Sequence, residues 1–298
     1  MPCRTPPATR APSFPAPSPA SERSPMSDPL LSVADLRIAL PNGTELVRGV
    51  SFSVERGGSL GIVGESGSGK SLTCRAVLGI VPEGVAVTSG DLAFDGVDLR
   101  SLSYEQWMPL RGRRISAVFQ DPGSYLNPSI PVGRQLAEAL RASSVLTRKE
   151  ARTRAVELFA SLGLRDPHRV AGQYPHELSG GMLQRVLIAI AICADPQLLI
   201  ADEATTALDV TVQAEVLDVL ADLAVTRDLA IVLVSHDLAV VAQVCENVVV
   251  MRDGVIVEAG RTAEVLGNPQ HEYTQLLVTD HERYGIENYL AARELLHV

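Results

Sequence analysis

One short segment constrains this chain more than any other. Residues 64–71 read Gly-Glu-Ser-Gly-Ser-Gly-Lys-Ser and follow the apolar run at residues 60–63. A glycine-rich turn between a buried strand and a helix leaves backbone N–H groups free to bind a phosphate, helped by the positive end of the helix dipole. Lys70 would then reach the β- and γ-phosphates of a nucleotide, and the Ser71 hydroxyl would bind Mg²⁺. The alternative is a chance Gly/Ser turn, which is disfavoured because Lys70 is one of only two lysines among 26 basic residues.

Composition narrows the classes of function. The chain has 298 residues, of which 46% are hydrophobic, enough for one large core or two modest ones. A net charge of −9 and an aromatic content of 4% argue against a nucleic-acid partner. The four cysteines form no Cys-x-x-Cys pair and predict reduced cytosolic thiols rather than a zinc site. No apolar run approaches the roughly 20 residues that a membrane-spanning helix needs.

Residues 1–28 form a leader of different composition. Its first 25 residues hold eight prolines and almost no aliphatic side chains, so we expect disorder. The leader has no apolar h-region, which excludes a secretory signal. Met26 directly precedes the first patterned segment and is an alternative start to Met1.

The rest of the chain has the pattern of an α/β protein. From residue 30 to about residue 90, apolar runs alternate with turns such as Asn42-Gly43, which predicts an antiparallel β region. A helix is predicted at residues 71–80. Apolar residues recur at helical spacing between residues 130 and 164 and after Ser179, which predicts a helical subdomain at about residues 125–195. Residues 248–251 and 255–259 predict a closing hairpin.

Two further aliphatic runs, at residues 198–201 and 229–234, predict parallel strands covered on both faces. Ligands of such sheets bind at the carboxyl ends of the strands, where Asp202 and His236 fall. The carboxylate of Asp202 is suited to hold Mg²⁺ through a water molecule, and Glu203 would orient or deprotonate an attacking water. The alternative for Asp202 and Glu203 is a pair of surface acids at the end of a strand. The alternative for His236 is a purely structural role.

A second anion site is predicted at residues 178–182, which read Leu-Ser-Gly-Gly-Met and precede a helix. Ser179 suits the N-cap of that helix, and the Gly180-Gly181 backbone leaves amide groups open. By itself this segment is a weak capping motif. Because one chain carries two phosphate-binding helix starts, we expect each nucleotide site to combine segments of two subunits.

Together these segments resemble the ATP-binding cassette (ABC) ATPases, in family order and at family spacing, from residue 30 to about residue 270. The resemblance implies a P-loop domain at residues 29–270, with a RecA-like core, an antiparallel β subdomain and a helical subdomain, and a tail at residues 271–298. It makes residues 64–71 the Walker A loop, residues 178–182 the signature and residues 198–203 the Walker B strand. Its remaining matches are Gln120 as the Q-loop glutamine, residues 207–209 as the D-loop and His236 as the switch histidine.

The resemblance also implies the role of each site residue. Glu203, His236 and Gln120 are expected to be catalytic, and Ser71, Gln120 and Asp202 are expected to hold Mg²⁺. The residues expected to contact ATP are Gly64, Glu65, Ser66, Gly67, Ser68, Gly69, Lys70, Ser71, Ser179, Gly180, Gly181 and Asp209.

Finer motifs resemble the peptide and nickel importers of this family. They lie at residues 119–122, 174–182 and 209–214. The short tail with His281 and Tyr284 resembles that of a nickel-import ATPase more than that of a peptide-import ATPase. The resemblance implies a peripheral subunit on the cytoplasmic face of the bacterial inner membrane. Its partners would be integral membrane permease subunits, a second and different ABC ATPase and, indirectly, a periplasmic or extracellular substrate-binding protein. The cargo would be nickel or another metal complex, or di- or oligopeptides.

Two other classes of P-loop protein are alternatives. A non-transport ABC ATPase of the DNA-repair or translation type would carry a long coiled coil, a second cassette or zinc cysteines, and the sequence has none of these. A kinase or GTPase would leave residues 178–182 and His236 unexplained.

Overall fold

Two sheets and ten helices make up most of residues 28–205 and 208–282, the part of the chain that this computed structural model describes. The strands are β1 (Leu31–Ala39), β2 (Glu45–Val54), β3 (Ser59–Val63), β4 (Ala86–Phe94), β5 (Val97–Asp98), β6 (Ile115–Phe119), β7 (Leu198–Asp202), β8 (Ala230–Ser235), β9 (Asn247–Arg252) and β10 (Val255–Arg261). The helices are α1 (Lys70–Val77), α2 (Tyr104–Trp107), α3 (Val132–Ser143), α4 (Arg148–Ser161), α5 (Pro167–Gly172), α6 (Gly180–Ile192), α7 (Val210–Arg227), α8 (Leu238–Val244), α9 (Thr262–Gly267) and α10 (Glu272–Glu282). Some of the predicted features lie outside the described residues: residues 1–27 of the leader, Ala207 of the D-loop, the side chain of His281, and Tyr284.

The larger sheet has the strand order β10-β9-β3-β8-β7-β6. Its neighbouring strands are parallel except for β9 and β10, which form the predicted antiparallel hairpin. Every residue of β3, β7 and β8 is buried, as the continuous aliphatic runs predicted. Strands covered on both faces make a rigid frame for the loops at their ends.

The two faces of this sheet pack against different parts of the molecule. In β8, Ile231 and Leu233 belong to the core formed with the helices from α3 to α8. Val232 and Val234 belong to a second core, formed with α1 and the smaller sheet. Successive side chains of a strand point to opposite faces, so one short strand supports both cores.

The smaller sheet is antiparallel, with the order β2-β1-β4-β5, and confirms the β region predicted before residue 90. The helical pattern between residues 130 and 164 corresponds to α3 and α4, which pack against each other. The helix predicted at residues 71–80 ends earlier, at Val77. Gly79 has a φ of +64°, and a Cβ at this position would lie 2.6 Å from the Trp107 ring, so the chain turns where the ring packs.

Candidate functional site

Four parallel strands of the larger sheet end at one edge. Val63 of β3 pairs with Ser235 of β8, and Asp202 of β7 pairs with Phe119 of β6. Asp202 also pairs with the residue before Ser235, so all four ends lie within one residue of each other. The residues that directly follow these strands are Gly64, His236, Glu203 and Gln120. The sheet thus gathers predicted residues from four distant parts of the sequence at one edge.

The glycine-rich loop between β3 and α1 encloses the side chain of Lys70. This lysine is only 3% exposed, and its Nζ donates hydrogen bonds to the carbonyl oxygens of Gly64 at 2.7 Å and Glu65 at 2.8 Å. Burial lowers the pKa of Lys70, and the nearby carboxylates of Glu203 and Asp202 oppose that shift. A buried ammonium group whose charged form is stabilised by nearby negative charge is suited to bind a phosphate.

The N-terminus of α1 is open to an anion. Its N-cap, Gly69, has a φ of +98° and, in the described structure, offers no side-chain cap. Gly67 has a φ of +83°, another left-handed conformation that glycine adopts without strain. The first N–H groups of a helix have no acceptor within the helix, and the helix dipole adds positive potential to them.

A hydrogen bond joins this helix to the neighbouring strand β7. Oγ of Ser71 donates to Oδ1 of Asp202 at 2.8 Å. Burial raises the pKa of Asp202, the hydrogen bond from Ser71 opposes the rise, and the charge of Glu203 adds to it. A hydroxyl and a carboxylate in contact are both oxygen donors of the kind that hard divalent cations bind.

A cavity of about 620 Å³ opens beside these groups. Gln120 and Glu203 line it from the strand ends. Glu203 has a φ of +50°, which is uncommon outside glycine, and its N–H donates to the carbonyl of Val234 at 3.0 Å. The other predicted site residues that line this cavity are Ser66, Gly67, Gly69, Lys70, Ser71 and Asp202. His236 is exposed at the same sheet edge and is not part of this lining.

The predicted signature and D-loop lie apart from this cavity, and none of their described residues lines it. Oγ of Ser179 accepts a hydrogen bond from a backbone N–H of α6 at 3.4 Å, which is the predicted N-cap. Asp209 caps α7 in the same way at 3.0 Å. A Cβ on Gly181 would lie 2.2 Å from the Val212 side chain, so the two helix starts pack tightly together. Ser179 and Gly180 are exposed and open to another molecule.

The support behind the glycine-rich loop comes from contacts that no local sequence pattern predicted. The N–H of Gly254, in the β9–β10 turn, donates to the carbonyl of Ser68 at 3.1 Å. The N–H of Glu65 donates to Oη of Tyr273 at 2.9 Å. Tyr273 lies in the predicted tail, yet it is buried in the main core. An aromatic residue within a polar segment is the only signal in the sequence that points to this contact.

Sequence comparison decides the family. The family model described as "ABC transporter" matches residues 47–206. The chain belongs to the ABC transporter family. It is 45% identical over 249 residues to an oligopeptide transport ATP-binding protein of Bacillus subtilis, an alignment that covers 82% of this chain and 70% of the relative. It is 41% identical over 234 residues to a metal-staphylopine import system ATP-binding protein of Staphylococcus aureus, covering 78% and 86%.

Solved structures share the fold. The chain matches cbiO1 from Clostridium perfringens, part of the ABC transporter complex cbiONQ, with a TM-score of 0.72 and 28% identity, covering 81% of this chain and 92% of that one. It matches the ATP-binding cassette MJ0796 bound to ADP and Pi with a TM-score of 0.69 and 24% identity, covering 78% and 98%. The predicted α/β nucleotide-binding fold is confirmed.

These findings confirm that this ABC protein is an ATP-binding, ATP-hydrolysing transporter subunit. They also confirm the predicted resemblance to the ATPases of peptide and nickel importers, over the alternative of a DNA-repair or translation ATPase. An ABC transporter subunit of this type is peripheral to the membrane and works with permease subunits. Within residues 28–205 and 208–282, no helix is both long and apolar enough to span a bilayer.

The buried carboxylate of Asp202 gives a prediction about stability. Because burial raises its pKa above 3.8, the stability that this carboxyl contributes is fully present below that unfolded-state value and is lost as the pH rises through the higher folded-state pKa. Asp202→Asn should therefore raise the thermal midpoint of the nucleotide-free chain at neutral pH. The gain should shrink as the pH falls toward the ordinary carboxyl pKa of 3.8. The control is Asp218→Asn, which removes an exposed carboxylate from α7 and should have little effect. A lower midpoint for Asp202→Asn at neutral pH would contradict this account.

Proposed function

We propose that this chain powers the uptake of peptides or metal complexes through a membrane permease. The names of its relatives, which include oligopeptide transport and metal-staphylopine import, support this class of cargo. In this proposal the chain acts at the cytoplasmic face of the bacterial inner membrane. A second, different ABC ATPase is its partner, and a substrate-binding protein delivers cargo to the permease from the other side.

The hydrogen bond between Ser71 and Asp202 is the observation that carries the catalytic part of the proposal. It joins the start of α1 to the end of β7, so the residues proposed for phosphate and metal binding adjoin one cavity. Lys70 would exchange its two carbonyl partners for the β- and γ-phosphates of ATP. Its burial favours that exchange because the ammonium group then gains a negative partner.

Ser71, Asp202 and Gln120 are proposed to hold Mg²⁺. A hydroxyl, a carboxylate and an amide carbonyl are the oxygen donors that this cation prefers, so the residues fit the group. When bound, Mg²⁺ supplies positive charge that stabilises the phosphates during transfer. The burial of Asp202 supports this proposal, since a nearby cation stabilises the charged form of a buried carboxylate.

Glu203 is proposed to orient the attacking water and to accept its proton while the oxygen bonds to the γ-phosphorus and ADP leaves. His236 would contact the γ-phosphate from the neighbouring strand end. The position of Glu203 directly after β7, in the lining of the nucleotide cavity, supports this role.

The signature residues are proposed to act on the ATP of the partner subunit. Ser179, Gly180 and Gly181 would bind its γ-phosphate, and Asp209 would lie at the same interface. Their separation from the cavity and the exposure of Ser179 and Gly180 support this arrangement. Because the anion would then lie between two helix N-termini, association would depend on ATP.

The segment at residues 121–128 is proposed to form part of a groove for a permease helix. A second cavity of about 730 Å³ is lined by Tyr125 and Leu126 and by Gln135 of α3. Phe119 and Tyr125, whose rings stack at 5.7 Å, line both this groove and the nucleotide cavity. This shared wall supports a coupling role for Gln120, which follows Phe119 directly.

The role of Glu203 can be tested by removing its charge. Glu203→Gln should still bind ATP but hydrolyse it about 10²- to 10⁴-fold more slowly, and it should trap a dimer, because the unhydrolysed γ-phosphate keeps the partner's signature engaged. Lys70→Ala should instead weaken nucleotide binding itself. Single-turnover hydrolysis and equilibrium binding separate the two effects. Near-normal turnover in a complex purified with Glu203→Gln would rule out the assigned role.

The heteromeric importer is tested by ATP turnover of the purified chain with and without its partners. Alone, the chain should be largely monomeric and slow, since its loop and its signature cannot close one site. Addition of the second ATPase and the permease should raise turnover. The same addition to a Ser179→Ala chain should raise it less. A fast, stable homodimer that responds to neither partner would contradict the proposal.

A further inference from the structure

The last described helix, α10, reaches the back of the nucleotide loop through one side chain. Tyr273 is 2% exposed, and its Oη accepts a hydrogen bond from the backbone N–H of Glu65 at 2.9 Å. The two residues are 208 positions apart in the sequence. A phenol oxygen in the core is thus the acceptor for an amide of the loop that binds phosphate.

This amide shares a peptide group with the carbonyl of Gly64. The peptide is trans, so its N–H and its C=O point in opposite directions within one rigid plane. The carbonyl oxygen accepts from Nζ of Lys70 at 2.7 Å. Tyr273 and Lys70 therefore hold the two sides of the same plane, and a rotation of that plane would break both hydrogen bonds.

The orientation of this peptide group depends on an outside contact because its first residue is a glycine. Gly64 has a φ of +156°, and a Cβ there would lie 2.0 Å from the carbonyl oxygen of Met251, so a side chain does not fit. Glycine also gives the backbone the freedom to rotate this peptide. The acceptor at Tyr273 removes that freedom.

Tyr273 is itself held on several sides. The guanidinium of Arg252 lies 4.9 Å from the centre of its ring. Its own N–H donates to Nδ1 of His271 at 3.1 Å, and the N–H of His271 donates to Glu258 at 3.0 Å. The phenol oxygen is therefore a fixed acceptor, and its position is set by β9, β10 and the start of α10.

We propose that Tyr273 is a positioning residue of the ATP site, which fixes the Gly64–Glu65 peptide and through it the ammonium group of Lys70. This inference rests on the proposed role of Lys70 in phosphate binding. It makes the start of α10 a structural part of the nucleotide site, although Tyr273 touches neither ATP nor the reacting atoms.

The test uses the full chain with Tyr273→Phe, which keeps the ring and its contact with Arg252 and removes only the acceptor oxygen. Loss of one neutral hydrogen bond should weaken ATP binding about 3- to 10-fold. Hydrogen exchange should become faster in the peptide that covers residues 64–71, with little change in α6 and α7. Thr279→Val is the matched control: Thr279 lies on the same helix, its hydroxyl donates to the carbonyl oxygen of Gln275 at 2.8 Å, and no hydrogen bond of the described residues joins it to the loop. This control should keep wild-type ATP affinity, whatever its thermal midpoint.

Wild-type ATP affinity and wild-type loop exchange in Tyr273→Phe would overturn the inference, even with a lower thermal midpoint, because Tyr273 would then be a packing residue only. Equal losses of affinity in Tyr273→Phe and Thr279→Val would overturn it too, since they would report general damage to α10. Lys70→Ala separates this failure from that of the proposed function. If Lys70→Ala binds ATP normally, the proposed phosphate site fails; if it loses binding while Tyr273→Phe does not, only the inference fails.

Discussion

The hydrogen bond from Ser71 to Asp202 is the contact on which the rest of this site depends. It links the first turn of α1 to the end of β7 at a point where both Lys70 and Asp202 are almost completely buried. Burial lowers the pKa of Lys70 and raises the pKa of Asp202, so it favours the neutral form of each group. These shifts reflect the free-energy cost of keeping the two charges out of water. A polyanionic nucleotide and its cation offset that cost, so the site is organised for a ligand of high charge. The aliphatic strands β3, β7 and β8 hold the two groups in register.

The same sheet explains why residues so far apart in sequence belong to one site. Parallel strands bring their carboxyl ends together, so Gly64, Gln120, Glu203 and His236 are placed at one edge of the sheet. The signature does not join them, because Gly181 is packed against α7 and Ser179 caps its own helix. In the proposed arrangement the site is divided between two subunits, so hydrolysis would be coupled to their association. That property suits a protein that drives a membrane permease.

Local patterns in the sequence predicted the frame of the molecule well. Continuous aliphatic runs predicted β3, β7 and β8 because strands buried on both faces need no polar positions. The N-cap at Ser179 was predictable because capping is a contact within one turn of a helix. Contacts set by packing over long distances were not predictable. Nothing local to Gly61 indicates that a Cβ there would lie 2.0 Å from Val241 of α8, and nothing near Glu65 indicates an acceptor on Tyr273.

Ser71 and Asp202 are proposed to bind one cation beside the phosphates of ATP. The most direct test measures the gain in ATP affinity that Mg²⁺ gives to the full chain carrying Ser71→Ala, Asp202→Asn or both. If the two side chains share one ion, each single variant should lose most of the gain, and the double variant should lose little more than either one. Losses that simply add, or a Mg²⁺ effect that persists in the double variant, would contradict the claim.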